Sequence, residues 1–298
     1  MLKAEKLVKR FGEKEALSGL DTTIGHGSVY GLVGPNGSGK STFLRLISGV
    51  YRPDGGSLTL GGEEIYDNPK AKDRVFYLAD DLYFPPKATT EDLRKFYRGL
   101  YSTWSDERYL KIKKAFPIDT EKRLSTFSKG MRRQAALLVA LSANTDYLLL
   151  DEAFDGLDPV MRLLLKKLLA EQIAERDATV IIASHNLREL EDLCDQVGLL
   201  YQGRLLFEKD LDSLKLGVCR VQAAFDTEPD FKAAGLDIMQ KKGHGKLLTL
   251  TIRGDAETTL NKINALGPRY AEALPLTLEE VFIGEMEAVG YDSKNILL

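Results

Sequence analysis

Gly34-Pro35-Asn36-Gly37-Ser38-Gly39-Lys40-Ser41 fits the spacing G-x-x-x-x-G-K-[ST]. Glycines so placed let successive backbone N–H groups turn inward around a phosphate chain, and a helix opening near Lys40 adds its positive dipole end. Lys40 then reaches the β- and γ-phosphates, the Ser41 hydroxyl ligates Mg2+, and Thr42 completes the nucleotide-binding stretch. A second feature, Tyr147-Leu148-Leu149-Leu150-Asp151-Glu152, is an apolar run that ends in two carboxylates. Ligands of open α/β sheets lie beyond the C-terminal ends of the strands, so both carboxylates can reach that crevice. Asp151 is the acidic partner of the metal, and Glu152 orients or deprotonates the water that attacks the γ-phosphate. An Asp-Glu pair alone would merely start a solvated loop; beside a phosphate loop it reads as chemistry.

Such residues need a scaffold of alternating strands and helices. Ser28 to Val33 is a short apolar run entering the Gly-rich loop, and Thr42 to Ile47 has helical spacing directly after it. Val75 to Leu78, Tyr147 to Leu150, Thr179 to Ala183 and Val197 to Tyr201 are bounded by turn residues, as in strands buried on both faces of a largely parallel sheet. Between them lies a helix from Pro159 to Arg176, with Asp158 as N-cap and an apolar stripe of Met161, Leu164, Leu165, Leu168 and Ile173. After the Phe84-Pro85-Pro86 break, apolar residues from Leu93 to Ile112 recur at helical spacing, which predicts a helical insertion with Trp104 packed in its polar connection. Beyond Gly203 the order reads strand, short helix (Pro229 to Ala234), two strands flanking Gly243-His244-Gly245, helix, strand and helix (Thr277 to Met286), a small α+β appendage of ferredoxin-like order. The expected division is a nucleotide-binding domain over 1–215, its helical subdomain at about 84–143, and the appendage over 216–298.

Composition narrows the class. The chain has 298 residues, 44% of them hydrophobic, so it can bury a core and is not disordered. Its longest apolar run, Ala135 to Leu141, is far short of the ~18–20 residues that cross a bilayer. The charged start Met1-Leu2-Lys3-Ala4-Glu5-Lys6 argues against a signal peptide. Cys194 and Cys219 have no metal-ligand spacing and read as reduced thiols of the cytosol. A formal net charge of −3 argues against a nucleic-acid partner, which needs a basic face.

Further motifs give the chain a resemblance, over residues 1 to about 215, to the ATP-binding subunits of ABC transporters. Phe127-Ser128-Lys129-Gly130-Met131 resembles the signature usually written LSGGQ, matching at Ser128 and Gly130 and departing at Phe127, Lys129 and Met131. Gly156-Leu157-Asp158 resembles the loop that faces the other subunit, His185 the switch histidine that senses the γ-phosphate, and Phe11 the aromatic that stacks on adenine. The resemblance implies a P-loop NTPase of α/β class with a mostly parallel sheet, ATP and Mg2+ as ligands, and ATP hydrolysis. Lys40, Glu152 and His185 carry the catalysis. It also implies a head-to-tail pairing in which Ser128 and Gly130 of one subunit meet the γ-phosphate held by the other, whether the second subunit is a copy or a different chain. Separate membrane-spanning subunits dock around the helical insertion and the loop at Asp80, placing this chain at the cytoplasmic face of the membrane.

Leu278-Glu279-Glu280-Val281-Phe282 looks like a terminal helix of exporter-type subunits, so the expected task is powering export. The appendage is either regulatory or an extension of the dimer contact. A soluble ATPase working on ribosomes or DNA is the alternative, but such members resemble two units in tandem or carry a long inserted coiled coil, and neither is present. A non-hydrolysing binder would have lost Glu152 or His185. One departure stands out: Asp80 occupies the place of the family's glutamine, where it can bind Mg2+ through oxygen while adding negative charge beside Asp151 and Glu152. That reading predicts an unusually strong dependence on Mg2+.

Overall fold

An antiparallel hairpin opens the chain. Strands β1 (Leu2–Phe11) and β2 (Lys14–Ile24) pair from Leu2↔Ile24 to Phe11↔Lys14. The structure, a computed structural model, describes residues 1–211, 213, 217–243, 245–274, 277, 279, 280 and 282. Next come β3 (Val29–Val33), the Gly-rich loop and α1 (Lys40–Ile47), then β4 (Gly55–Leu60), the short β5 (Glu63–Glu64), α2 (Pro69–Asp73) and β6 (Val75–Leu78). The helical insertion follows as α3 (Thr90–Leu100), α4 (Asp106–Lys113) and α5 (Lys129–Ala143). The chain continues through β7 (Tyr147–Asp151), α6 (Pro159–Arg176), β8 (Thr179–Ser184), α7 (Leu187–Leu190), β9 (Gln196–Tyr201) and β10 (Arg204–Asp210). Then come β11 (Val218–Ala224), β12 (Asp237–Lys242), β13 (Leu247–Arg253), α8 (Ala256–Ala265) and β14 (Tyr270–Leu274). The chain divides into two units, Met1–Glu208 and Lys209–Leu298.

The first unit is built on a six-stranded sheet of order β10-β9-β3-β8-β7-β6. Its β9-β3-β8-β7-β6 portion is parallel throughout. Every residue of β3, β7 and β8 is buried, which is why these strands read as unbroken apolar runs instead of alternating patterns. A second sheet, β2-β1-β4-β5, is antiparallel. The sequence reading did not anticipate it, because charged pairs such as Glu5-Lys6 and Lys9-Arg10 break the apolar alternation of β1, with register shifts at Ala4/Leu7 and Lys9/Arg10. Leu2, Leu7, Leu17, Leu20 and Ile24 of this sheet join Phe43, Leu44, Leu46 and Ile47 of α1 and Tyr30, Leu149 and Ile181 of the main sheet in one buried cluster. The phosphate-loop helix is therefore held by two sheets at once.

Helix α6 starts as its sequence dictates: the Asp158 carboxylate accepts from the Met161 N–H at 2.9 Å, and Pro159 takes the first helical position. Its buried face is Met161, Leu165, Leu168, Leu169 and Gln172, slightly rotated from the stripe read in the sequence. Helix α3 is closed by a reciprocal box in which Thr89 and Asp92 each accept from the other's backbone N–H.

The second unit holds an antiparallel sheet of order β12-β13-β11-β14. Cys219, Val221 and Ala223 of β11 and Leu248, Leu250 and Ile252 of β13 face one core with Ile263 of α8. The stretch expected as a helix over 229–234 is irregular chain and turn. His244 lies outside the described residues, and so does most of the helix expected over 277–286, including Leu278 and Val281.

Candidate functional site

Three local structures meet at the C-terminal ends of β3, β7 and β8. The loop after β3 turns through Ser38 N–H donating to Pro35 O at 3.1 Å, and Gly203 N–H donates to Ser38 O at 2.9 Å. Gly39, at φ +114°, precedes α1 in the left-handed half of backbone space, and a Cβ there would lie 2.7 Å from Ala16 O. Lys40 is buried, its ammonium donating to Gly34 O at 2.6 Å and to Pro35 O at 3.3 Å. Burial pulls its pKa down, while Glu152 and Asp151 pull it back up.

Asp151 ends β7 almost fully buried. Tyr77 on β6 donates its hydroxyl to Asp151 Oδ2 at 3.0 Å, and Asp151 Oδ1 has no hydrogen-bond partner among the described residues. Burial, then the adjacent carboxylate, pushes the Tyr77 phenol pKa well up, so the hydroxyl stays a donor. Consecutive residues of a strand point to opposite faces, but Glu152 adopts φ +48°, a left-handed conformation that costs a non-glycine residue about 1–3 kcal/mol. That turn breaks the alternation. Glu152 Oε1 lies 3.8 Å from the Lys40 ammonium, and Oε2 lies 3.0 Å from Nδ1 of the half-exposed His185, just past β8. The Glu152 N–H donates to Ala183 O at 2.9 Å and anchors the turn.

A cleft of about 270 Å3 gathers these elements, lined by Phe11, Asn36, Gly37, Gly39, Lys40, Ser41, Thr42, Asp80 and Glu152, together with Lys14 and Ala16. Phe11 ends β1 at its rim with 45% of its surface exposed, backed edge-on by Tyr51 at 5.2 Å and by the Lys9 ammonium. Ser128 and Gly130 do not line this cleft. Ser128 caps α5, accepting from the Met131 N–H at 3.2 Å, and Gly130 packs so closely on Gly156 that a Cβ would lie 2.5 Å from Gly156 O.

Asp80 differs from its expected state. Its Oδ1 is held at 2.8 Å by Nη2 of Arg133 on α5, so its charge is already balanced by a guanidinium that is 1% exposed. Sequence reasoning missed Arg133 and Tyr77. The signal for Tyr77 was a hydroxyl inside an apolar strand, whereas Arg133, set between Arg132 and Gln134 ahead of the apolar run of α5, carried none.

Hard oxygen donors suit Mg2+, which takes one or two carboxylates and leaves the rest of its shell to water and phosphate. Asp151 Oδ1 and the Ser41 hydroxyl fit that description, and among the described residues no group of three or more His, Cys, Asp and Glu side chains could hold a metal. Nor, among them, is any helix long and apolar enough to cross a membrane.

The sequence family described as "ABC transporter" matches residues 17–155. The chain is 32% identical over 285 residues to the ABC transporter ATP-binding protein YtrB of Bacillus subtilis, covering 96% of this chain and 98% of the relative. It is 30% identical over 219 residues to the bacitracin transport ATP-binding protein BcrA of Bacillus licheniformis, covering 72% and 71% of the two chains. The dimeric post-hydrolysis structure of the ATP-binding cassette MJ0796 with ADP and Pi superposes with a TM-score of 0.64, at 22% identity over 71% of this chain and 99% of that one, a likeness of fold. The chain belongs to the ABC transporter ATP-binding proteins. It is an ATP-binding subunit and an ATPase.

Proposed function

We propose that this ATPase powers export through separate membrane-spanning subunits, with two cassettes closing head to tail on ATP. What carries the reading is that Lys40, Ser41 and Glu152 line one phosphate-loop cleft, with the unpartnered Asp151 Oδ1 on the residue just before Glu152. The exposed ring of Phe11 suits adenine stacking, and the loop from Gly34 to Thr42 wraps the phosphates, with Lys40 shifting from Gly34 O to the β- and γ-oxygens. Ser41 and Asp151 would hold Mg2+, which supplies charge neutralisation at the phosphate oxygens. Glu152 accepts the proton of the attacking water, and His185, bonded to the same carboxylate, orients it and meets the γ-phosphate. Asp80 receives a different role below.

Ser128 and Gly130, away from the cleft, offer a hydroxyl, N–H groups and a helix N-terminus to the nucleotide of a second cassette. The membrane partner docks on a largely apolar cavity of about 720 Å3 beside the Asp80 loop, where Tyr83 and Phe96 stand exposed between that loop and α3. That docking holds the chain peripherally at the cytoplasmic face. Export is favoured by the names of its relatives, which include a linearmycin resistance ATP-binding protein and bacitracin transport BcrA. Co-purification from native membranes tests the reading: a membrane-spanning protein in fixed ratio supports it, and ribosomes or DNA in its place would replace it.

A further inference from the structure

The buried Arg133 grips the segment that leaves β6. Nη1 donates to Ala79 O at 3.0 Å, and Nη2 donates to Asp80 O at 3.0 Å and to Asp80 Oδ1 at 2.8 Å. Its Nε has no hydrogen-bond partner among the described residues. A guanidinium this deeply buried needs its carboxylate, because an uncompensated buried charge is strongly destabilising. The carboxylate concerned is half exposed and lines the same cleft as Asn36, Ser41 and Glu152. One side chain therefore touches the nucleotide cleft and, through Arg133, the helix whose first residues are capped by Ser128. A glutamine at position 80 could accept a hydrogen bond from Arg133 but could not neutralise it.

We propose that Asp80 is a positioning residue: with Arg133 it forms a latch that ties the nucleotide cleft to α5 and so sets where Ser128 and Gly130 stand during the ATPase cycle, and it is not a ligand of the metal. Nucleotide phosphate entering beside Asp80 brings like charge to its free oxygen and drives the carboxylate toward Arg133, so a filled cleft tightens the latch. This rests on the reading of that cleft as the nucleotide site. Lys40→Ala tests the site by itself, since retained ATP binding there would remove the site and leave the Asp80–Arg133 coupling to be judged separately.

The test is a double-variant cycle on the full chain, measuring kcat, KM for ATP and the Mg2+ concentration at half-maximal rate for Asp80→Gln, Arg133→Gln and the combined variant. Each single variant is expected to lose about 5- to 20-fold in kcat with KM and half-saturating Mg2+ within about 3-fold of the parent. The combined variant, which buries no lone charge, is expected to lose no more than the worse single one. Asp80→Glu, which keeps the pair, is expected to stay within about 3-fold in kcat. Should a single variant not fold, the combined variant and Asp80→Glu carry the comparison, and a combined kcat below about a hundredth of the Asp80→Glu value overturns the latch. It is equally overturned if the single losses multiply, if Asp80→Gln raises half-saturating Mg2+ about ten-fold while Arg133→Gln is silent, or if melting temperatures fall with kcat unchanged.

Discussion

Single side chains decide the chemistry through the charges they face. The Lys40 ammonium donates to the carbonyl of Gly34 and lies 3.8 Å from Glu152, so truncating it removes a buried ammonium from the phosphate loop. Lys40→Ala is expected to lose ATP binding, read by equilibrium titration with a fluorescent ATP analogue, and unchanged affinity would mean the phosphates lie elsewhere. Glu152→Gln should keep binding while kcat falls about 10²- to 10⁴-fold, the contribution of a general base. His185→Ala should also turn over slowly, and wild-type turnover there would make the histidine structural. Tyr77 acts through Asp151: without its hydroxyl the carboxylate loses the hydrogen bond that holds its Oδ2. Tyr77→Phe is therefore expected to raise the Mg2+ needed for half-maximal rate by about 10-fold or more. That response would set it apart from the Asp80 and Arg133 variants.

At the level of elements, the helical insertion is held by a buried carboxylate. Glu91 on α3 accepts from Tyr109, Lys113 and Thr120 at 2.7–2.9 Å on one oxygen and from Arg94 at 3.2 Å on the other, linking α3 to α4 and the loop after it. Burial pushes its pKa up, but the donors, led by Lys113, outweigh burial and hold it at about 2 against an ordinary 4.5. A carboxylate lowered in the folded state stabilises fully above its unfolded value and loses that contribution as pH falls toward the folded one. The melting temperature of Glu91→Gln should accordingly lie below the parent at pH 6, and the gap should close between pH 4.5 and pH 2 as Glu91 itself is protonated. A gap independent of pH would place the loss in shape and not in charge. This network was not legible in the sequence, where Glu91 sits in an ordinary acidic first turn. Nor was the pairing of Asp80 with Arg133, which lie 53 positions apart.

For the whole molecule, Ser128 and Gly130 stand outside the cleft, and on the proposed head-to-tail reading one chain has half of each composite site. ATP should shift Glu152→Gln to a dimer in light scattering, and Ser128→Arg should abolish that shift while leaving ATP binding to the monomer intact. A monomer at saturating ATP would require a different chain as the second cassette. The large cavity beside α3 invites a complementary test. Phe96→Glu puts a charge on its exposed apolar edge, and is expected to reduce recovery of the membrane partner while leaving hydrolysis by the isolated subunit within about 2-fold.

The Gly-rich loop and its helix, the place of Asp151 and Glu152 at the end of a buried strand, the place of His185 just past β8 and the parallel strands themselves could all be read from the chain. Each depends on local spacing, on a strand buried on both faces, or on a cap such as Asp158, and these leave unbroken or periodic patterns in sequence. The antiparallel sheet of β1, β2, β4 and β5 left no such pattern, because it is half exposed, mixes charge into its strands and shifts register. Long-range partnership was decided only by the tertiary structure. Tyr77 meets Asp151 across neighbouring strands, Glu152 turns left-handed to face Lys40 and His185, and Arg133 neutralises Asp80 from a helix of the insertion. A carboxylate's partner depends on which distant charge the packing brings within 3 Å, and no spacing along the chain encodes that distance.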